Sequence, residues 1–274
     1  MAENQNKLGF IGGGRMGEAL IKGVLAAGLY RNDQIVVAEP DPRRRQALHE
    51  LYGVVVEADA GPLWDHCSVV ILAVKPQVMD LVLKQNRAKI KAGKHLLISI
   101  AAGIPLAFIE AALAPCQARV VRVMPNTPAL VLAAASALSS GTYAGDDDLK
   151  LATSIFAAVG ETVVLPESAL DAVTGLSGSG PAYVFTFFEA LIDAGVKVGL
   201  SREVAELLAR QTILGSMQLA AESSQTPAEL RAMVTSPGGT TIAGLHALER
   251  GAFRALIMDA VEAATRRSVE LGRG

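Results

Sequence analysis

The stretch that most constrains this chain is Lys7 to Ala27, where an apolar run, Leu8 to Ile11, feeds directly into Gly12-Gly13-Gly14-Arg15-Met16-Gly17. Small and apolar residues of helical period follow at Met16, Ala19, Leu20, Gly23, Val24 and Ala27. The pattern reads as strand, tight turn, helix. Each glycine then has its own physical reason to be there. Gly12 permits the sharp turn, Gly14 lets a pyrophosphate approach the backbone, and Gly17 lets the helix pack on the strand. Free N–H groups and the positive end of the helix dipole face the phosphates. Glycine triplets also occur in ordinary loops, but here the strand, the helix and an acid near the expected distance agree. The stretch predicts a dinucleotide site contacted by Gly12, Gly13, Gly14, Arg15 and Met16.

That acid is Glu39, at the end of a second strand, Ile35 to Ala38. A carboxylate there holds the adenosine ribose hydroxyls and repels a ribose 2′-phosphate, which leans toward NADH. Arg43, Arg44 and Arg45 follow at once and are within reach of such a phosphate, so NADPH stays open; as a solvated first turn of helix they have no such role.

Further strands are expected at Val54–Val56, Ser68–Val74, His95–Ile100, Arg119–Met124, Ala133–Leu138 and Glu161–Leu165, with helices between several of them. The carboxyl ends of such strands face the ligand. This makes Lys75 a candidate for cofactor contact at the end of the fourth strand, which runs through Val74 and is stopped by Pro76, and Asn126 a candidate to orient a nicotinamide carboxamide; a plain loop lysine and a simple turn fit the same spacing. The triple acid Asp146-Asp147-Asp148 reads as helix-cap chemistry, because no other ligands accompany it; no metal site is expected. Alternating strands and helices describe an α/β, Rossmann-like, doubly wound domain over residues 1–165.

After Pro166 the texture changes to long helical patterns at Pro181–Lys197, Arg202–Glu222 and Ala252–Leu271. The all-α region, residues 166–274, is too small to hide several greasy helix faces alone, and an intertwined homodimer is inferred. Two loops there combine glycine with hydroxyls: Thr174 to Pro181, and Thr235-Ser236-Pro237-Gly238-Gly239-Thr240-Thr241. The second precedes a helix, and its four hydroxyls and two glycines form a nest for a carboxylate. A Ser-Pro-Gly-Gly turn with a threonine cap accounts for much of the same pattern.

Composition excludes other classes. Twenty-five basic against 27 acidic residues leave a charge of −2, so no global field favours nucleic acid or an anionic membrane. Cys67 and Cys116 lack metal or disulfide spacing. The amino end lacks a basic segment followed by an apolar run, and Leu96 to Ile109 is broken by Gly103 and Pro105, so a soluble cytoplasmic chain is expected.

Taken together, these segments resemble the pyrroline-5-carboxylate reductase family end to end. The resemblance rests on Phe10 to Gly17, Ile71 to Gln77, Arg122 to Pro128, Gly175 to Tyr183 and Thr235 to Thr241. It implies reduction of 1-pyrroline-5-carboxylate to L-proline by NADPH or NADH, as the last step of proline biosynthesis. It also implies a Rossmann-like domain with a helical dimerisation domain, and assembly as dimers, often five to a decamer. By residue, it implies that Ala73, Lys75, Pro76 and Asn126 line the nicotinamide end, that Ser236, Gly238, Gly239 and Thr240 grip the carboxylate, and that the Thr241 hydroxyl meets the imine nitrogen. Thr241 and Lys75 are the candidates for a part in the chemistry. Two positions depart from the family: Ala38-Glu39-Pro40 stands where NADPH-preferring relatives carry Ser, Asn or Arg, and Ser224 stands where some members have a glutamate near the site.

Reduction of a C=N bond needs an electron-poor carbon, and a protonated nitrogen supplies it without a strong protein base. None of His49, His66, His95 and His246 falls in a glycine loop. The hydroxyacid and phosphogluconate dehydrogenases of similar architecture place a lysine where this chain has Val184, which disfavours alcohol oxidation. A redox sensor of the same fold has no use for the second, carboxylate-gripping loop.

Overall fold

The computed structural model describes residues 7–273. Among the described residues eight strands form one sheet: β1 Lys7–Ile11, β2 Ile35–Ala38, β3 Val55–Glu57, β4 Cys67–Leu72, β5 Leu96–Ser99, β6 Arg119–Met124, β7 Ala134–Ser140 and β8 Gly160–Val164. Their order is β3-β2-β1-β4-β5-β6-β7-β8. Every neighbouring pair is parallel except β6 with β7, which is antiparallel. Only Pro125 to Ala133 joins those two strands, too short for a crossover helix, so the chain reverses and β7 and β8 run opposite to the rest. The strand order itself reverses between β1 and β4, the position at which open α/β sheets bind ligands.

The strands read as continuous apolar runs because both faces are covered. Leu8, Phe10, Val37, Ile71 and Ile98 pack on one side with α1 (Arg15–Ala26), α2 (Pro42–Tyr52) and later α6 (Asp146–Ala157). Ile11, Val36, Val70, Leu72 and Leu97 pack on the other with α3 (Leu63–His66), α4 (Met79–Asn86) and α5 (Leu106–Leu113). Local chemistry sets the helix ends. Asp41 caps α2 by accepting from the Arg43 N–H at 2.9 Å, and Gly53 ends it at φ 66°. At α6 the capping acid is Asp148, which accepts from Gly145 N–H at 3.0 Å and from Arg119 at 2.7 Å.

The chain divides into two compact units: one runs to Ser179 and takes in the chain from Ala263 onward, the other is Gly180–Glu262. In the first, α7 (Leu170–Val173) passes into a π-helical turn, Thr174–Gly178. The second is helical, with α8 (Gly180–Lys197), α9 (Arg202–Glu222), α10 (Pro227–Met233), α11 (Thr240–Arg250) and the start of α12 (Phe253–Arg273). Its buried apolar cluster is small: Ile192, Ala205 and Ala209, with Phe188 and Leu191 against them. Helices α8 and α9 approach closely at Gly195, where an added Cβ would sit 2.7 Å from the Ala205 Cβ. Phe185, Leu207, Leu214, Met217, Leu256 and Met258 are all exposed in this unit. No described helix is long and apolar enough to cross a membrane. The expectation that no signal sequence precedes Lys7 lies outside the described residues.

One buried titratable group tests the packing of the first unit. His95 is fully buried, accepts from Lys91 N–H at Nδ1 (3.0 Å) and donates from Nε2 to the Trp64 carbonyl (2.9 Å). The Trp64 indole stands edge-on to the imidazole and donates to Asn86 at 2.7 Å. Burial pushes the His95 pKa below its ordinary value, and nearby Lys94 and Lys91 add to this against the Trp64 hydrogen bond. The folded state therefore binds fewer protons than the unfolded chain, and stability falls as pH drops below the unfolded value of about 6.5. Melting curves between pH 7 and pH 5 should show His95→Gln losing less stability on acidification than the wild type, by up to about 1.4 kcal/mol per pH unit. Identical pH dependence would contradict the buried neutral imidazole.

Candidate functional site

The glycine turn leaves β1 at the switch point. Gly12 has φ +100°, and a Cβ there would lie 2.6 Å from the Ala73 carbonyl oxygen. At Gly17 a Cβ would lie 2.7 Å from the Gly12 carbonyl oxygen, so α1 sits directly on the turn. Gly14 differs: nothing lies within 4 Å of its Cβ position. It is also the N-cap of α1, with no side chain satisfying the first N–H groups. An uncapped helix end, open on one side, fits a phosphate. Arg15 is exposed beside it, while Met16 is half-buried against the core.

Glu39 reaches this turn. Its Oε2 accepts from Gly13 N–H at 2.8 Å and its Oε1 from Asp41 N–H at 3.0 Å. The arginines after it are not all a solvated helix turn. Arg44 donates from Nε to the Gly13 carbonyl at 2.5 Å and pairs through Nη2 with Glu18. Tyr52 donates to the same Glu18 carboxylate at 2.9 Å. The Arg44 hydrogen bond is the main cause that holds the Glu18 pKa below the usual carboxylate value. Arg45 donates to the Glu39 and Pro40 carbonyls at 2.7 and 2.8 Å. Arg43 is exposed. Sequence reading missed the Glu18–Arg44–Tyr52 cluster, whose members are too far apart in the chain to form a local pattern.

The other strand ends gather at the same edge. Ala73 N–H bonds the Ile11 carbonyl at 2.9 Å, which sets the end of β4 beside the turn. Lys75 follows, exposed, at the start of a short 3₁₀ turn, Pro76–Val78. Asn126, after β6, is more constrained than expected. Its Oδ1 accepts from Ala135 N–H at 2.9 Å and its Nδ2 donates to the Ser177 carbonyl at 3.1 Å.

The Gly-Ser stretch before α8 is not a loop, as expected from sequence, but the π turn. Its hydroxyls bond backward into the helix: Thr174 to the Leu170 carbonyl at 2.8 Å and Ser177 to the Val173 carbonyl at 3.1 Å. The widened turn leaves the Ser177 carbonyl for Asn126, and Gly178 passes Met124 so closely that a Cβ would lie 2.6 Å from its Cε.

In the second unit, Thr235 to Gly239 links α10 to α11. Gly238 has φ +68°, and Gly239 N–H bonds the Ser236 carbonyl at 3.1 Å. Gly239 is the N-cap of α11, without a side-chain cap. The helix begins at Thr240, inside the loop expected from sequence, so Thr240 and Thr241 are its first turn, the former exposed and the latter half-buried. Thr235 spends its hydroxyl on the Arg231 carbonyl at 2.7 Å and is not a free donor. A cleft of about 840 Å³ opens here, lined among others by Arg231, Gly238, Gly239, His246 and Arg254.

Known proteins match nearly the whole chain. A family model for pyrroline-5-carboxylate reductase dimerisation matches residues 167–271, and one for NADP oxidoreductase, coenzyme F420-dependent, matches residues 7–103. Pyrroline-5-carboxylate reductase of Methanosarcina acetivorans is 47% identical over 271 residues, covering 99% of both chains. That of Arabidopsis thaliana is 45% identical, covering 97% of this chain and 96% of its own. Among solved structures, a pyrroline-5-carboxylate reductase from Coxiella burnetii superposes with TM-score 0.92 at 38% identity, covering 98% of this chain and 99% of its own. The Plasmodium falciparum enzyme with NADP bound gives 0.87 at 35% identity, with the same coverage.

Gly14→Val tests the turn. Its Cβ enters space with no other part of the protein within 4 Å, so the main cost to stability is a poorer N-cap, about 1 kcal/mol. Affinity for dinucleotide, read by calorimetric titration, should fall at least about tenfold, a change worth 1.4 kcal/mol. Unaltered affinity would remove this turn from the binding site.

Proposed function

The chain belongs to the pyrroline-5-carboxylate reductase family, and we propose from that premise how its own residues reduce 1-pyrroline-5-carboxylate to L-proline with NADH or NADPH. The observation that carries the reading is a pair of uncapped, glycine-led helix N-termini, at Gly14 and at Gly239. Each suits an anion, the first a pyrophosphate and the second a carboxylate.

Residues 1–165 hold the dinucleotide in this reading, and residues 166–274 form the substrate-binding and dimerisation domain. The turn Gly12, Gly13, Gly14, Arg15 and Met16 holds the pyrophosphate: Gly12 and Gly13, whose own N–H groups bond the Ala38 carbonyl and Glu39, shape the approach, Gly14, Arg15 and Met16 offer backbone N–H groups, and Glu39 faces the adenosine ribose. Ala73, Val74, Lys75, Pro76 and Asn126 border the nicotinamide. The role of Asn126 is to hold the strand ends in place, since its amide already ties Ser177 to Ala135. When bound, the dihydronicotinamide supplies the hydride.

The protein's part is to orient and to handle one proton. Ser236, Gly238, Gly239 and Thr240 hold the substrate carboxylate at the positive end of α11. That fixes the ring and aims its C=N carbon, the largest contribution a site without a strong base makes. Thr241, in the first turn of the same helix, donates its hydroxyl hydrogen bond to the ring nitrogen as that nitrogen becomes an amine. Lys75 favours the site by its positive charge near the reacting end.

A homodimer accounts for the apolar side chains left exposed in the second unit, which no small monomeric domain sustains. Assembly of five dimers into a decamer and residence in the cytoplasm complete the reading; the near-zero net charge supports neither nucleic acid nor membrane as a partner.

Thr241→Ala should lower turnover of the imine by roughly ten- to a thousandfold, with dinucleotide affinity unaltered. The check is steady-state loss of nicotinamide absorbance at saturating imine, beside a binding titration. Unchanged turnover would take Thr241 out of the mechanism.

A further inference from the structure

The elements around the adenosine end of the glycine turn carry an inference about which dinucleotide this chain takes; it rests on the dinucleotide reading above. Glu39 is not a loose surface acid. Both its oxygens are fixed by backbone donors, Gly13 N–H at 2.8 Å and Asp41 N–H at 3.0 Å, so the carboxylate is held beside the turn. A ribose 2′-phosphate there would need a cation to offset that charge, and the chain has three arginines in reach of the position. Two are already engaged by protein acceptors. Arg44 is drawn inward onto the Gly13 carbonyl and Glu18, and Glu18 is in turn held by Tyr52. Arg45 lies on the Glu39 and Pro40 carbonyls. Only Arg43 extends into solvent, where one exposed cation is screened and gains little.

We propose that the chain selects the unphosphorylated ribose, and thus NADH over NADPH, with Glu39 as the selecting residue and the Glu18–Arg44 pair withdrawing the cation that would otherwise oppose it. Glu39 acts twice. Its oxygens accept from vicinal ribose hydroxyls, and its charge repels a phosphate in the same place. Glu18 is a positioning residue that acts through Arg44.

The test is a pair of dissociation constants, for NADH and for NADPH, measured by calorimetric titration without the imine. Wild-type protein should bind NADH at least about tenfold more tightly, a ratio corresponding to 1.4 kcal/mol. Glu39→Ser should erase or invert that ratio, chiefly by tightening NADPH. Glu39→Gln, which keeps the shape and one acceptor for the backbone donors, should move the ratio the same way if Glu39→Ser folds poorly. Adding Glu18→Gln to either variant should tighten NADPH further by freeing Arg44. Equal or tighter binding of NADPH by the wild type overturns the selection, as does an NADH preference that survives both Glu39 variants. Binding of neither dinucleotide by folded wild-type protein overturns the dinucleotide reading itself, and the selection with it. Imine-dependent turnover with NADPH as fast as with NADH, alongside a tenfold preference in binding for NADH, leaves the selection standing as a ground-state effect.

Discussion

The first unit depends on a backbone crossing with no room for a side chain. Gly12 lies against the Ala73 carbonyl and Gly17 lies against Gly12, so β1, the end of β4 and the start of α1 meet within contact distance. A Cβ at either glycine would push the helix off the sheet and widen the gap between the two central strands. The approach places the helix's free N–H groups at the point where strand order reverses. The phosphate site and the packing of the domain thus have one cause. That is why Gly14, whose Cβ position meets nothing within 4 Å, is the glycine of this turn most open to binding.

Much of this was legible in the sequence, and for a definite reason. Strands buried on both faces leave unbroken apolar runs, and Ile35–Ala38 and Arg119–Met124 emerge with the expected ends. Helix α9 likewise keeps its expected span, Arg202–Glu222, between Ser201 as cap and Ser223. The reversal at β7 was not legible, because strand direction leaves no trace in periodicity; it follows from the short connection after Met124. Nor was the π turn. Its glycines and hydroxyls have the composition of a loop, and only the bonds from Thr174 and Ser177 back to the preceding carbonyls show that the helix continues. The acid at Glu39 could be seen, but its bond to Gly13 and the inward turn of Arg44 are long-range geometry.

The second unit has the opposite character. Its three buried apolar residues are two alanines and an isoleucine, while large side chains such as Phe185, Leu214 and Met258 stand exposed. A core of that size offsets little of the entropy of ordering five helices. The match of residues 167–271 to a dimerisation family gives the missing surface a source.

The central claim is that hydride passes directly from the dinucleotide to the imine carbon within one protein site. It is tested most directly by supplying dinucleotide deuterated at the reactive nicotinamide carbon, together with 1-pyrroline-5-carboxylate, and reading the product by NMR. The account predicts proline formed one for one with dinucleotide oxidised, its deuterium confined to a single face of the ring carbon that was the C=N carbon. Dinucleotide that binds but is not consumed, or proline lacking the label, would contradict it.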